Sequence, residues 1–500
     1  MGLLGLLALA AMGCSRGYQD QVEQMHRAIN AGNVPLALQS VNEALGVDYA
    51  HQLPPSLEGD VPLLLLERGM LLQAQGMHED AVRDFNTADQ VLEVLDLTED
   101  TAADIGKYLI SDDVTLYKAP PHEKLLVNVM AMISYLAMGD VEGAKVEARR
   151  LNVLQRYYKS AAEGERSFFS LGSYLAGFTF EVAGDQDAAL RYYLEAWKRQ
   201  PRPSLQGPIQ TLSAATGYRS AEVEEALEGA PPDVGRPLGD DEGLLLVVVQ
   251  NGRAPFKIAR RHPVGLFFSL AVADASSGLS PDDRAAADKA IVSGLLKWIS
   301  FPVLVEVDSA YSNFSLRVDG DFYGQPQYAI DVRQGTLQAW RRDKDKLMIA
   351  AFTRMLTRAV AAEATTAIGK GSGLDKQLFP GASWLLGRAV EGIAAANDTA
   401  DTRSWTTLPS NVQVYRVVVP AGRHTLQVNA FGDGFAPDQR VVEVPPRGFA
   451  AATFRYLRGS PLPPPEIEGA DELDTPRSAE DAEDDFIQSG YDEPGVKRLE

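Results

Sequence analysis

One local pattern, met four times in the first two hundred residues, limits what this chain can fold into. An apolar stretch ends at a glycine, an Asp or Asn or other polar residue follows within two positions, then come an Ala and an aromatic or aliphatic residue. Ala31-Gly32-Asn33-Val34-Pro35-Leu36-Ala37 is the first copy and Gln75-Gly76-Met77-His78-Glu79-Asp80-Ala81 followed by Phe85 the clearest. Met138-Gly139-Asp140-Val141-Glu142-Gly143-Ala144 and Ala183-Gly184-Asp185-Gln186-Asp187-Ala188 followed by Tyr192 complete the set. Glycine permits the left-handed turn that ends a helix, and Asp or Asn after it caps the next one. The small Ala lets two helices approach, and the aromatic fills the space between them. Residues 18–201 are therefore predicted to form paired helices.

This pattern resembles the tetratricopeptide repeat. The glycines at 32, 76, 139 and 184 are spaced by 44, 63 and 45 residues, against about 34 in the regular repeat, so insertions such as 95–122 are implied. Stacked helix pairs make concave surfaces for peptides and protein elements. Tyr157, Tyr158, Tyr192, Tyr193 and Trp197 could line such a groove, but aromatics at helical spacing are read first as core.

Cys14 is the sole cysteine among 500 residues, so one chain can build neither a disulfide nor a thiolate metal site. It follows an uncharged Leu/Ala/Gly run, Gly2 to Met12, in the context Ala11-Met12-Gly13-Cys14-Ser15. That run is shorter than the ~20 residues a membrane-spanning helix needs and has the length of a signal-peptide apolar region. The segment resembles a lipobox, with Ala11 and Gly13 as the small residues beside an acylated Cys14. It departs from the usual signal in having no Lys or Arg ahead of the apolar run. Residues 1–13 are expected to be a lipoprotein signal peptide. Ser15 points to the outer membrane, with the body facing the periplasm and the lipid as the membrane contact.

The net charge is −21, which argues against a nucleic-acid partner, since phosphate binding needs a basic surface. The last 42 residues, Gly459 to Glu500, hold 13 acidic and 3 basic residues, a net of −10. Opening with Pro461-Leu462-Pro463-Pro464-Pro465, they read as a disordered acidic tail, 459–500. Residues 202–240, rich in Pro, Gly and acid with a helical interlude at 220–227, read as a linker.

From residue 241 the period changes. Leu244–Gln250 is an unbroken apolar run, as a buried strand requires, and Asn251-Gly252 ends it with a turn signal. Further strands are predicted at 302–307 and 314–318, then a long amphipathic helix over 337–368 with Arg341, Arg342, Arg354 and Arg358 on its solvated face. A connector at 369–373 and a helix over 384–396 would close a mixed α/β domain, 241–397. The Gly-Lys-Gly-Ser-Gly of 369–373 lacks both the spacing and the preceding strand of a phosphate loop. Strands at 412–419, 424–430, 440–444 and 450–456 would form a small antiparallel β-domain, 398–458. The fold class predicted is α+β.

Three segments carry a second resemblance. Gln250-Asn251-Gly252-Arg253-Ala254-Pro255, Ala400-Asp401-Thr402-Arg403-Ser404-Trp405-Thr406-Thr407-Leu408-Pro409 and Pro420-Ala421-Gly422-Arg423-His424 are similar to the segments shared by a family of uncharacterised bacterial lipoproteins with helical repeats. Gln250 stands where that family's pattern has an acidic residue. The resemblance implies architecture and no reaction.

Asp401, Arg403, Trp405 and His424 could supply acid–base and anion-binding groups. The preferred expectation is a structural latch: Asp401 pairs with Arg403, Trp405 plugs the β-part onto the helices, and His424 caps a strand. In the sequence no nucleophile–base pair or carboxylate cluster stands beside them. Histidines 26, 51, 78, 122, 262 and 424 lack metal-ligand spacing, so neither metal nor cofactor is expected. The expected function is a protein-binding scaffold of the cell envelope with partner unidentified. The alternatives are an accessory factor for cell-wall synthesis or surface-structure assembly, and an enzyme acting on glycan or peptide.

Overall fold

The computed structural model describes residues 18–97, 117–157, 166–273, 281–292, 298–371 and 400–458. The signal segment with Ala11, Gly13 and Cys14, Tyr158, the expected helix at 384–396 and the acidic tail lie outside the described residues.

Eight helices form four antiparallel pairs: α1 (Tyr18–Asn30) with α2 (Val34–Leu45), α3 (Val61–Ala74) with α4 (His78–Leu97), α5 (Pro121–Ala137) with α6 (Val141–Tyr157), and α7 (Arg166–Val182) with α8 (Gln186–Arg199). Gly32, Gly76, Gly139 and Gly184 turn the four pairs with φ between 73° and 78°. Asn33 and Asp185 cap the helices that follow, accepting from the amides of Leu36 and Ala188. Inside the pairs the approach is closer than the repeat pattern requires: a Cβ on Gly69 would stand 2.4 Å from the Phe85 ring. Tyr192 and Tyr193 are buried in this core, which removes them from the candidate groove.

The first helix of a pair carries an uncommon burden. In α3 every residue from Pro62 to Gln73 is buried, and in α7 every residue from Phe168 to Phe180. A helix apolar around its whole circumference must be covered on every side. The cover on the inner side is a β-sheet from the C-terminal half.

That sheet has strand order β10-β1-β7-β6, from β1 (Glu242–Asn251), β6 (Tyr328–Asp331), β7 (Asn411–Pro420) and β10 (Phe449–Tyr456). β1 runs parallel to β10 and antiparallel to β7. Side chains alternate across a strand, so Leu244, Leu246 and Val248 enter the helical core while Leu245, Val247 and Val249 enter the opposite core. Burial on both faces explains the unbroken apolar run of β1. The opposite core is closed by a second sheet, order β5-β4-β8-β9, built from β4 (Tyr311–Val318), β5 (Asp321–Gly324), β8 (Gly422–Gly432) and β9 (Gly434–Val444). Helices, sheet and sheet thus stack as three layers in an α+β molecule.

Three expectations need correction. Strands from both sides of residue 397 interleave in both sheets, so 241–397 and 398–458 are not separate β-units: β1 is central between β7 and β10, and β4 pairs with β8. Residues 202–240 are more than a linker. They hold α9 (Gln206–Thr216) and α10 (Ala221–Leu227), which bury Leu205, Ile209, Leu212, Val223 and Ala226 in the helical core. The long helix, α13 (Val332–Gly371), continues through residues 369–371 of the expected connector.

A third, smaller core lies in a lobe made of β2 (Phe256–Pro263), α11 (Val264–Ala273), α12 (Pro281–Val292), β3 (Trp298–Val305) and part of α13. Among the described residues β2 and β3 pair only with each other.

Candidate functional site

The three sequence segments singled out above fall at two places. The first two join each other. Ser410 N–H donates to the Asn251 carbonyl at 2.8 Å, and Ala254 N–H to the Leu408 carbonyl at 2.7 Å. Asn251 is buried and uses both side-chain atoms: Nδ2 donates to the Tyr311 carbonyl at 2.8 Å, and Oδ1 accepts from Ser309 at 2.6 Å. Gly252 has φ 63°, and a Cβ there would stand 2.5 Å from Ser410 Oγ. Pro255, Leu408 and Pro409 are buried around this crossing.

The loop 401–410 then runs onto the helices. Trp405 is about fully buried, its ring 5.9 Å from that of Phe85 in the helical core. Arg403 grips Asp401 with a two-pronged bond, Nε and Nη2 each at 2.9 Å, and reaches toward Asp60 at 3.6 Å. Two carboxylates rise from the helices to receive the loop's backbone. Glu67 of α3 accepts from Thr406 N–H at 2.7 Å, Thr407 N–H at 2.9 Å, the Thr406 hydroxyl at 2.8 Å and the Tyr18 hydroxyl at 2.6 Å. Glu123 of α5 accepts from Trp405 N–H at 3.1 Å and from the Tyr117 hydroxyl. His26 meets the Thr406 hydroxyl at 2.8 Å.

The electrostatics follow from burial. Loss of water raises Glu67 above the ordinary carboxylate value, although its hydrogen bonds pull the other way. The same cause pushes Glu123 up to about 7. His26 is driven down to about 3 by burial and then by Arg253, so it is neutral. Arg253 and Arg455 are pulled down to about 10 and about 9 by burial, Arg455 also by Arg253. Arg455 donates to the carbonyls of Thr407 at 2.8 Å and Gln250 at 3.1 Å, and Arg253 to Asn30 at 2.8 Å. The Glu67 charge offsets part of the cost of burying Arg253.

Gln250 is fully buried and donates to Gln73 Oε1 at 2.6 Å. Gln73 in turn donates to the Met130 carbonyl and the Ser134 hydroxyl. A carboxylate at 250 would set acceptor against acceptor, so the amide suits this partner. Further along the interface, Arg416 of β7 pairs with Glu181 of α7, and Tyr328 stacks on Tyr174 at 4.5 Å.

The third segment lies elsewhere. His424 sits near the Pro420 end of β7, the loop 401–410 at its Asn411 end, and ten residues of strand span roughly 30 Å. Asp401, Arg403 and His424 are therefore not brought together. His424 Nδ1 lies 2.6 Å from Asp319 and Nε2 lies 2.7 Å from the Pro420 carbonyl. Burial opposes its proton, but the bonds to Asp319 and Pro420 outweigh burial and hold His424 above its ordinary value. The ring pins the Pro420-Ala421-Gly422 turn, where Gly422 has φ 138°, to the β4–β5 turn, where Asp319 has φ 53°.

Glu67, Glu123, Arg253 and Arg455 escaped sequence reasoning as members of this seam. A signal existed for Glu67: with Arg68 it separates the apolar runs Leu63–Leu66 and Met70–Leu72, and a charge buried in such a helix demands a partner. Among the described residues no group of three or more His, Cys, Asp or Glu is placed to hold a metal, and no helix is long and apolar enough to cross a membrane.

No family model and no curated protein matches the chain. Solved structures give distant likenesses. A thermophilic tetratricopeptide-repeat protein of Thermus thermophilus is 15% identical, with 43% of this chain and 93% of that chain covered and a TM-score of 0.22. PilW, described as a widely conserved type IV pilus biogenesis factor, is 15% identical over 43% of this chain and 94% of its own, with a TM-score of 0.20. A tetratricopeptide repeat protein from Parabacteroides merdae is 15% identical over 55% and 92%, with a TM-score of 0.20. The repeats are defined by the helix pairs and their glycine turns.

Proposed function

We propose that the chain is a non-enzymatic, protein-binding scaffold of the bacterial envelope, held by an acylated Cys14 to the periplasmic face of the outer membrane. The anchor rests on the sequence around Cys14 and the family resemblance. The scaffold rests chiefly on how the seam commits its ionisable side chains: Glu67 holds Thr406 and Thr407, Glu123 holds Trp405, and Asp401 holds Arg403. These groups work inside the molecule, joining repeats to sheet. Partners then meet the solvent faces of α2, α4, α6 and α8 or the outer sheet.

Crosslinking in intact cells followed by purification is expected to recover one or more envelope proteins. Recovery of none, together with tight binding of a small molecule, would overturn the scaffold. Labelled palmitate should enter the wild type and not Cys14→Ser; equal labelling would overturn the anchor.

A further inference from the structure

On the solvent side of α6 and α8 two arginines rest on one aromatic stack. The Arg149 guanidinium lies over the Phe180 ring at 5.8 Å, and that of Arg191 over the Tyr192 ring at 5.2 Å. The two rings stack on each other at 5.3 Å, and Asn152 Nδ2 donates to the Tyr192 hydroxyl at 3.0 Å. Phe180 and Tyr192 are buried, whereas both arginines are exposed. The unbroken run of contacts Arg149–Phe180–Tyr192–Arg191 therefore puts both guanidiniums on one surface. Among the described residues neither guanidinium has a hydrogen bond or an ion pair. Other helix arginines pair within one turn: Arg27 with Glu23, Arg83 with Asp80, and Arg199 with Glu195. Arg191 has Asp187 one turn before it and Glu195 one turn after, and it pairs with neither. A guanidinium held over a ring keeps its N–H edges open to a carboxylate. Val146 and Val153, 44% and 67% exposed, stand one turn to either side of Arg149 on α6. Glu142, the acid on this side of α6, is engaged by Lys145. A basic and apolar surface of this kind fits an acidic segment that also carries apolar side chains.

The chain itself carries such a segment. Glu480-Asp481-Ala482-Glu483-Asp484-Asp485 places five carboxylates in six residues, and Phe486-Ile487 follows directly. The described chain ends at Arg458, whose carbonyl accepts from Ala310 N–H at 3.1 Å. Residues 459–479 separate that point from the acidic run. At about 3.3–3.6 Å per residue they reach up to about 70 Å, against a radius of gyration of about 23 Å for a compact chain of this size. The run can therefore reach α6 and α8 of its own molecule. A tether also raises its local concentration to roughly the millimolar range.

We propose that residues 480–487 of the chain's own acidic tail bind across α6 and α8, with their carboxylates on Arg149 and Arg191 and Phe486-Ile487 against the exposed valines. The tail of a second copy, or an acidic segment of another protein, offers the same chemistry but lacks the tether. The contact makes the tail a gate: a partner that uses this face of the repeats must first displace it. It forms whether or not Cys14 is acylated, and it leaves the faces of α2 and α4 open.

The test uses the full chain carrying Cys14→Ser and a fluorescein-labelled peptide of residues 478–489. In a second form of the full chain the tail is neutralised by Glu480→Gln, Asp481→Asn, Glu483→Gln, Asp484→Asn and Asp485→Asn together. Fluorescence anisotropy at low salt is expected to show the peptide binding the neutralised chain, and binding several-fold more weakly where the native tail competes. Affinity should fall as salt rises. Adding Arg149→Glu with Arg191→Glu to the neutralised chain should weaken the peptide by about tenfold or more, with far-UV circular dichroism and Tm unchanged. Absence of binding to the neutralised chain, or binding that the arginine substitutions leave unaltered, would overturn the proposal. Equal affinity for the native and neutralised tails would overturn it too, since the tail would then not occupy the face. So would a concentration-dependent dimer that Arg149→Glu with Arg191→Glu dissociates, which would assign the tail to a second copy. The palmitate result for Cys14 and the crosslinking result stand apart from each of these outcomes.

Discussion

Glu67→Ala is the perturbation that most directly tests how the repeats and the sheet are joined. The carboxylate accepts four hydrogen bonds, but the four donors are not equally dependent on it. The Tyr18 hydroxyl also lies 3.1 Å from the Ser404 carbonyl, and the Thr406 hydroxyl has His26 as a second partner. The Thr406 and Thr407 amides donate to Glu67, at 2.7 and 2.9 Å. Two buried amides left unsatisfied cost about 1–3 kcal/mol each. Removing the anion also leaves Arg253 less compensated, while relief of Glu67's own desolvation works in the other direction. The net loss is about 3–5 kcal/mol, the range seen when one member of a buried charged network is deleted. Glu67→Gln keeps an acceptor for three of the donors and turns an amide group toward the fourth, the Thr407 N–H, so it should cost about 1–2 kcal/mol. Urea unfolding followed by circular dichroism should rank wild type above Gln and Gln above Ala. Hydrogen exchange should show the Thr406 and Thr407 amides losing protection in the same order. A loss under about 1 kcal/mol for Glu67→Ala, with both amides still protected, would refute the reasoning.

Two further outcomes follow from the same seam. Glu123 is raised by burial to about 7 from 4.5, so the folded chain keeps this proton to higher pH than the unfolded chain. Its contribution is full below about pH 4.5 and is lost as pH rises through about 7. Glu123→Gln keeps an acceptor for Trp405 N–H and should flatten the fall in Tm over that window; an unchanged slope would show that Glu123 does not titrate there. Gly252→Ala forces a side chain to φ 63° against Ser410 Oγ; the left-handed backbone alone costs about 1–2 kcal/mol. Its Tm should fall by several degrees, and a Tm equal to wild type would mean that the crossing of the two segments is not rigid.

What could be read in the sequence was local. The four glycine turns were legible because a left-handed residue before a capping Asp or Asn leaves a mark within a few positions. β1 was legible for a related reason: burial on both faces removes polar alternation from Leu244–Val249 itself. The interleaving of strands across residue 397 was not legible, because the parallel register of β1 with β10 joins residues some two hundred positions apart and neither strand records its partner. α9 was hidden by Gly207 and Pro208, which read as linker chemistry, yet Pro is tolerated in the first turn of a helix. β2 was missed because its exposed Arg261 and its Pro263 break the pattern of a core strand, which fits a ribbon that pairs on one side only. The latch residues were identified by type, but their counterparts Glu67 and Glu123 could only be found once α3, α5 and the loop 401–410 were in contact.

The seam also changes what a repeat array means in this molecule. Stacked helix pairs usually recognise partners through their concave side, and the sequence pattern alone invites that reading. Here the first helices of the pairs turn that side to the chain's own sheet. Gln73 meets Gln250, Tyr174 meets Tyr328, and Glu181 meets Arg416. Displacing the sheet would expose Leu244, Leu246 and Val248 along with the helix residues they cover. At about 1.5–3 kcal/mol for each such side chain, no ordinary ligand offsets that loss. The repeats therefore serve as the wall of a core as much as a recognition surface. On the scaffold reading proposed above, recognition falls to the faces that remain in solvent.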